Sequence, residues 1–198
     1  MTRPLVVGIG GTVRPNSTSE AALRAALRGA QRAGARTECF AAAELDLPFY
    51  DPKLPDRSEG AQRLIASLRA ADGIIVCSPG YHGALSGLVK NALDYVEDLR
   101  ADPRPYLDGR AVGCVAMALG WQATVTTLTA LRSIVHALRG WPTPLGVCIK
   151  TTAPAHEADE QLAILGEQVL TAHDHVKSHQ CYLRSDPLEV MGGHFGSE

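Results

Sequence analysis

Strand-length apolar runs alternate with stretches of helical period along most of this chain, and that alternation narrows the accessible architectures more than any other feature. Residues 5–9, 37–41, 73–78, 111–117 and 145–150 read as strands. Between and after them, residues 19–33, 61–70, 85–99, 124–138 and 157–175 repeat apolar side chains at helical spacing, as Ala22, Leu23, Ala26, Leu27 and Ala30 do before Gly34 supplies a stop. Five strands interleaved with five helices imply an α/β fold: a doubly wound parallel sheet with right-handed crossovers and helices on both faces.

A length of 198 residues with 45% hydrophobic content suits one core, so a single domain over residues 1–176 is expected. Residues 177–198 have no clear period and read as an extended or disordered tail, or one lying on a partner subunit. A formal net charge of −2 offers no general attraction for nucleic acid. The N-terminal apolar run is too short for a signal peptide and no stretch reaches membrane-span length, so the expectation is a cytoplasmic protein with no membrane association. Cys39, Cys77, Cys114, Cys148 and Cys181 show no CxxC spacing, and three sit in strand-like runs; reduced thiols are the simplest account. His173, His175 and His179 lack an evident acidic fourth ligand, so no metal is expected there.

In a sheet of this kind ligands sit beyond the carboxyl ends of the strands. The loop after the first strand reads GIGGTVRPNSTSE, residues 8–20. A P-loop needs a Lys followed by Ser or Thr, and neither is present; a dinucleotide fingerprint needs a third glycine where Val13 stands. What remains is a glycine pair followed by Thr12, Arg14, Ser17, Thr18 and Ser19 at the start of a helix. Hydroxyls, free helical N–H groups and a guanidinium together suit a terminal monophosphate. The same residues also read as an ordinary helix cap with a solvated arginine, and the loop alone leaves the two readings open.

The loop after the third strand reads SPGYHGALSGLVKNALDY, residues 78–95. With it, the chain resembles the NAD(P)H-dependent FMN reductase family. That family's first loop usually runs G-S-x-R-x-x-S, matched here by Gly11, Thr12 in place of Ser, Arg14 and Ser17. Its second runs P-x-Y-N-x-S-x-P-G-x-L-K-N-A-x-D, matched by Pro79, Tyr81, Gly87, Lys90, Asn91, Ala92 and Asp94. His82, Ala84 and Ser86 depart from the usual Asn, Ser and Pro. The resemblance covers roughly residues 4 to 175 and implies a flavodoxin-like sheet in the order 2-1-3-4-5.

It further implies FMN held at its phosphate by Thr12, Arg14, Ser17, Thr18 and Ser19. The ring would lie beside Pro79, Gly80, Tyr81 and His82, with Gly120 and Trp121 of the third loop covering it or lining the nicotinamide pocket. Hydride would pass from NADPH or NADH to flavin N5, without a catalytic acid or base, and onward to a flavin, a quinone or another small-molecule acceptor. A homodimer or homotetramer is expected, with the helix of the second motif as a subunit contact, and a flavin-dependent monooxygenase is a possible recipient of reduced flavin. Lys90 and Asp94, one helical turn apart, read as a structural pair. Two other functions fit the scaffold: a flavodoxin-type one-electron carrier without nicotinamide activity, and a sensor of a phosphate-bearing ligand. Flavodoxins generally carry an acidic surface and a T-x-T-G-x-T-type first loop, whereas here Arg14 stands amid the hydroxyls and the formal net charge is only −2.

Overall fold

The computed structural model describes residues 3–184, with side chains described through residue 172 apart from Ala155. Strands β1 (Leu5–Gly10), β2 (Arg36–Phe40), β3 (Gly73–Tyr81), β4 (Ala84–Leu85), β5 (Ala111–Ala118) and β6 (Trp141–Lys150) form one sheet. Its main path runs β2-β1-β3-β5-β6, all parallel, and the two-residue β4 pairs antiparallel to the end of β3. The five long strands thus follow the expected order. The short β4 was not expected, because Leu85 read as the first residue of a helix over 85–99.

Helices α1 (Thr18–Arg32) and α5 (Asp159–Arg184) cover one face; α2 (Glu59–Ala70), α3 (Gly87–Asp94) and α4 (Trp121–Ala137) cover the other. Side chains alternate between faces along each strand. Val7, Ile9, Ile74 and Val76 therefore pack with Leu64, Val89 and Leu131, while Val6, Ile75, Cys77 and Val115 pack with Leu23, Leu27 and Leu165. Strands buried on both faces explain the continuous apolar runs.

Several boundaries moved for identifiable reasons. The segment read as one helix over 85–99 is β4, then α3, then a 3₁₀ turn over Tyr95–Leu99. Helix α4 begins at Trp121 rather than Thr124, because Gly120 serves as its N-cap without a side-chain hydrogen bond and leaves no polar capping signal. Strand β6 begins at Trp141, earlier than Pro142 and Pro144 suggested; it is an edge strand, where proline is tolerated, and its register shifts opposite Val112 and Cys114. Helix α5 continues to Arg184, into the segment expected to be a tail. Residues 185–198 lie outside the described residues, as do the side chains of His173, His175, His179 and Cys181.

Helices α1 and α5 approach closely through two glycines. A Cβ at Gly166 would overlap the Ala26 carbonyl, and one at Gly29 would overlap the Ala163 carbonyl. The contact seats the C-terminal half of α1 directly on α5. On the opposite face, Arg110 is fully buried and donates to the carbonyls of Ala71, Tyr106, Asp108 and Arg69. Burial pulls its pKa down to about 10.

Candidate functional site

Two loops meet at the C-terminal edge of the sheet, and local chemistry explains the shape of each. In the first, Gly11 adopts φ +103°, a left-handed conformation that favours glycine, and turns the chain away from β1. Ser17 is the N-cap of α1; its Oγ accepts from the Glu20 N–H at 3.2 Å. Glu20, although buried, reaches back to accept from the Asn16 N–H at 2.9 Å and is paired with Arg24. This is a capping box displaced by one residue, and it holds Asn16 at φ +56°. Beneath the loop, the buried Cys77 thiol donates to the Ser19 carbonyl. Burial pushes that thiol up to about 12, so it stays protonated and keeps the bond.

The second loop is a two-residue hairpin between β3 and β4. His82 (φ +50°) and Gly83 (φ +87°) are both left-handed, as a type I′ turn requires. Asparagine tolerates this conformation better than most residues, which gives a backbone reason for the Asn usual at position 82 in the family it resembles. The hairpin returns through Ser86, whose N–H donates to the buried Ser78 Oγ and whose own Oγ caps α3 by accepting from the Val89 N–H. Ser86 therefore has a structural role where the resembled motif has proline.

Thr12, Arg14, Ser17, Thr18, Ser19, Pro79 and Tyr81 line one cleft of about 390 Å³ together with Pro15, Asn16, Met117 and Thr151. That volume lies within the range of small-molecule sites. One end carries hydroxyls and a guanidinium; the other is lined by Pro79, Tyr81 and Met117. Thr12 Oγ1 lies within hydrogen-bond reach of Arg14's backbone and Ser17 Oγ of Ser19 Oγ, whereas the Arg14 guanidinium is exposed and forms no ion pair among the described residues. A polar pocket with one unneutralised cation suits a phosphate monoester, and the apolar end suits a planar ring. The residues present fit FMN.

Four of the residues expected at the flavin are not among those lining this cleft. Gly80 packs β3 against α4, where a Cβ would overlap Thr127 Oγ1. His82 stands exposed at the hairpin tip, outside the cleft lining. Gly120 caps α4, and Trp121 lines a second cleft of about 380 Å³ with Lys150, Thr152, Glu157 and Gln161 among others. Conversely, Met117 and Thr151 escaped the sequence reading because register brings Met117 of β5 opposite Pro79 and the Thr151 N–H, just past β6, donates to the Ala118 carbonyl at the end of β5.

The second motif's helix acts mainly as a clamp. Asn91 accepts from the Tyr50 N–H and donates to the Leu47 and Pro48 carbonyls, fixing the long loop after β2. Lys90 pairs with Asp94 one turn on, as expected. Tyr50 and Arg57 both donate to Asp98, and the Arg57 bonds hold the Asp98 carboxyl below its ordinary range. Cys39, Cys77, Cys114 and Cys148 are free thiols, and no metal-holding group of His, Cys, Asp or Glu occurs among the described residues. No helix among them is long and apolar enough to cross a membrane.

Residues 4–154 match the profile of the NADPH-dependent FMN reductase family. An NADPH azoreductase of Bacillus sp. (strain OY1-2) is 27% identical over 70% of this chain and 72% of its own length. An FMN-dependent NADPH-azoreductase of Staphylococcus aureus (strain USA300) is 29% identical over 59% of this chain, a match that spans only 55% of that enzyme. Among solved structures, an oxidoreductase from Corynebacterium diphtheriae superposes with a TM-score of 0.71 at 17% identity, covering 87% of this chain and 98% of that one. The NAD(P)H:(acceptor) oxidoreductase flavoenzyme of Paracoccus denitrificans gives 0.66 at 22% identity over 89% and 98%. At these identities the structural likeness shows the fold.

Proposed function

Because the chain belongs to the NADPH-dependent FMN reductase family and is an oxidoreductase of the FMN- and NADPH-dependent kind, we propose that it transfers hydride from NADPH through FMN to a small aromatic acceptor such as a quinone or an azo compound. The observation that carries this reading is the single cleft uniting the Arg14 turn with Pro79, Tyr81 and Met117. Azo compounds enter as acceptors because the relatives from Bacillus and Staphylococcus are named azoreductases.

Thr12, Arg14, Ser17 and Thr18 would hold the FMN phosphate, with N–H groups of the first turn of α1 adding donors. Pro79 and Tyr81 would take one face of the ring, and Met117 its inner edge. When bound, FMN supplies the two-electron chemistry of the reaction. The protein's share is placement: a rigid turn below, a hairpin held by Ser78 and Ser86 beside it, and a side open to a second planar molecule. No acid or base among the lining residues is asked to move a proton.

The reading includes self-association. Phe49 is 91% exposed on a loop that Asn91 and Tyr95 hold in place, and Leu54 is 59% exposed on the same loop. A rigid loop presenting a bare phenyl ring beside α3 suits a second copy of the chain.

Purified protein given NADPH, FMN and a quinone or azo acceptor should consume the nicotinamide catalytically, followed by loss of its near-ultraviolet absorbance. Tight FMN binding with no nicotinamide turnover would overturn the reductase reading in favour of a one-electron carrier. No FMN binding at all would overturn both.

A further inference from the structure

The second cleft has no part in holding FMN in the reading above, yet it shares a wall with the first. Residues 150–152 leave the end of β6 in series: Thr151 lines the first cleft, while Lys150 and Thr152 line the second. Residues 150–153 form a turn in which the Ala153 N–H donates to the Lys150 carbonyl, so one tight turn of the chain separates the two clefts. Trp121, 59% exposed at the start of α4, forms an aromatic plate there. Lys150 Nζ stands 5.9 Å from the indole centroid, within cation–π range, and forms no ion pair among the described residues. Glu157 also lines the cleft without pairing with Lys150, which leaves the ammonium un-neutralised.

Of the side chains lining the two clefts, Arg14 and Lys150 are the lysine and arginine present. Arg14 lies in the hydroxyl turn. Lys150 is therefore the cation left for a second phosphate, and it stands beside a ring on which a base can stack. An aromatic base carrying a phosphate on its ribose is the chemistry that separates NADPH from NADH, and a basic side chain near the adenosine ribose is the usual way proteins read it.

We propose that Trp121 and Lys150 form the subsite for the adenosine 2′-phosphate end of NADPH, with the base against the indole and the 2′-phosphate on the Lys150 ammonium. The assignment rests on the flavin-reductase reading and adds to it a source of nicotinamide preference.

The test uses FMN-loaded protein carrying Trp141→Phe. The chain has two tryptophans, so Trp121 is then the sole one. Trp141 starts β6 and Lys150 ends it, about 30 Å apart along the strand. Titration with 2′,5′-ADP should alter Trp121 fluorescence, 5′-ADP should bind more weakly, and Lys150→Gln should lower 2′,5′-ADP affinity about tenfold, as expected for one charge-assisted contact. Lys150→Arg should restore most of it. In turnover, Lys150→Gln should lower the ratio of kcat/KM for NADPH over NADH by a similar factor. Should Trp141→Phe fail to fold, inhibition of NADPH oxidation by 2′,5′-ADP in otherwise unaltered protein, with and without Lys150→Gln, gives the same comparison. Equal affinity for the two adenosine phosphates, an unchanged preference ratio, or a rise in KM for an anionic acceptor instead of NADPH would overturn the assignment. FMN binding is measured in parallel by quenching of flavin fluorescence: protein that binds FMN but ignores the 2′-phosphate refutes this inference alone, whereas protein that binds no FMN refutes the reading beneath it.

Discussion

Arginine 14 offers the sharpest test of the phosphate cup, because its geometry separates affinity from stability. Its side chain is exposed and has no carboxylate partner among the described residues, so Arg14→Ala removes nothing that the folded chain uses. Surface changes of that kind usually stay within about 0.5 kcal/mol of stability, or about 2 °C in Tm for a chain of this size. A hydrogen bond from guanidinium to phosphate contributes about 1.5–3 kcal/mol. Solvent screening at an exposed position favours the lower figure, so FMN Kd should rise about tenfold. The gap between the variant and the unaltered protein should narrow as salt is raised. Ser17→Ala is the informative contrast: Ser17 Oγ caps α1 by accepting from the Glu20 N–H, so this variant should lose about 1 kcal/mol of stability as well as affinity. Flavin fluorescence quenching at low and high salt, with a thermal melt of each apoprotein, measures both quantities. An Arg14→Ala protein that binds FMN within twofold of the original would refute the cup; one that melts several degrees lower would show that Arg14 supports the fold instead.

Asn91→Leu strands the Leu47 carbonyl and the Tyr50 N–H, while the Pro48 carbonyl keeps its bond from the Tyr95 hydroxyl, and should cost about 2 kcal/mol, seen as a fall of about 4–8 °C in Tm. Gly166→Ala drives a methyl group into the Ala26 carbonyl across the α1–α5 contact; a melt should show a loss of about 3 kcal/mol, and an unchanged Tm would mean the helices can separate freely. Asp98 is held below its ordinary range by Arg57, so its contribution is complete above that range, near 3.8, and is lost as pH falls through the lowered value. Asp98→Asn should therefore narrow its stability deficit in urea melts as the pH is taken down through and below 3.8, whereas a deficit independent of pH would exclude the linkage. Phe49→Asp should shift the protein to a smaller species in light scattering coupled to size exclusion, with its Tm as monomer little changed, since the ring is bare in the isolated chain.

What the sequence made legible was whatever depends on near neighbours. The strands buried on both faces announce themselves as unbroken apolar runs, and Gly34 ends α1 at φ +108°. The turn with Thr12, Arg14 and Ser17 needs only its own residues to cap a helix. The hidden parts depend on distant ones. Met117 reaches the cleft through strand register, Thr151 through a backbone bond to the end of β5, and Asn91 acts on a loop more than forty positions earlier. Arg110 likewise acts at a distance, its guanidinium buried against carbonyls from residues 69 and 71. His82 was expected beside the ring from its place in the resembled motif; its left-handed backbone, which sequence alone does not show, sets it at the hairpin tip.

Charge pairing separates cations that hold the fold from those available to a ligand. Arg24 stands one turn into α1, close to the cup, yet Glu20 neutralises it at 2.8 Å, and the same carboxylate holds Asn16 in place. The pair shapes the turn without adding net charge, so attraction for an anion there falls to Arg14. The cleft beside β2 follows the same pattern: its basic side chain, Arg63, is paired with Glu44 at 3.2 Å. Lys90 is likewise engaged by Asp94. Arg14 and Lys150 differ from these in combining an un-neutralised charge with a place in a cleft at the C-terminal edge of the sheet. Desolvating an anion is repaid best where the facing cation has no partner to give up. Two such cations in two adjoining clefts therefore suit two phosphates on two different molecules, one carried by FMN and one by the nicotinamide nucleotide that reduces it.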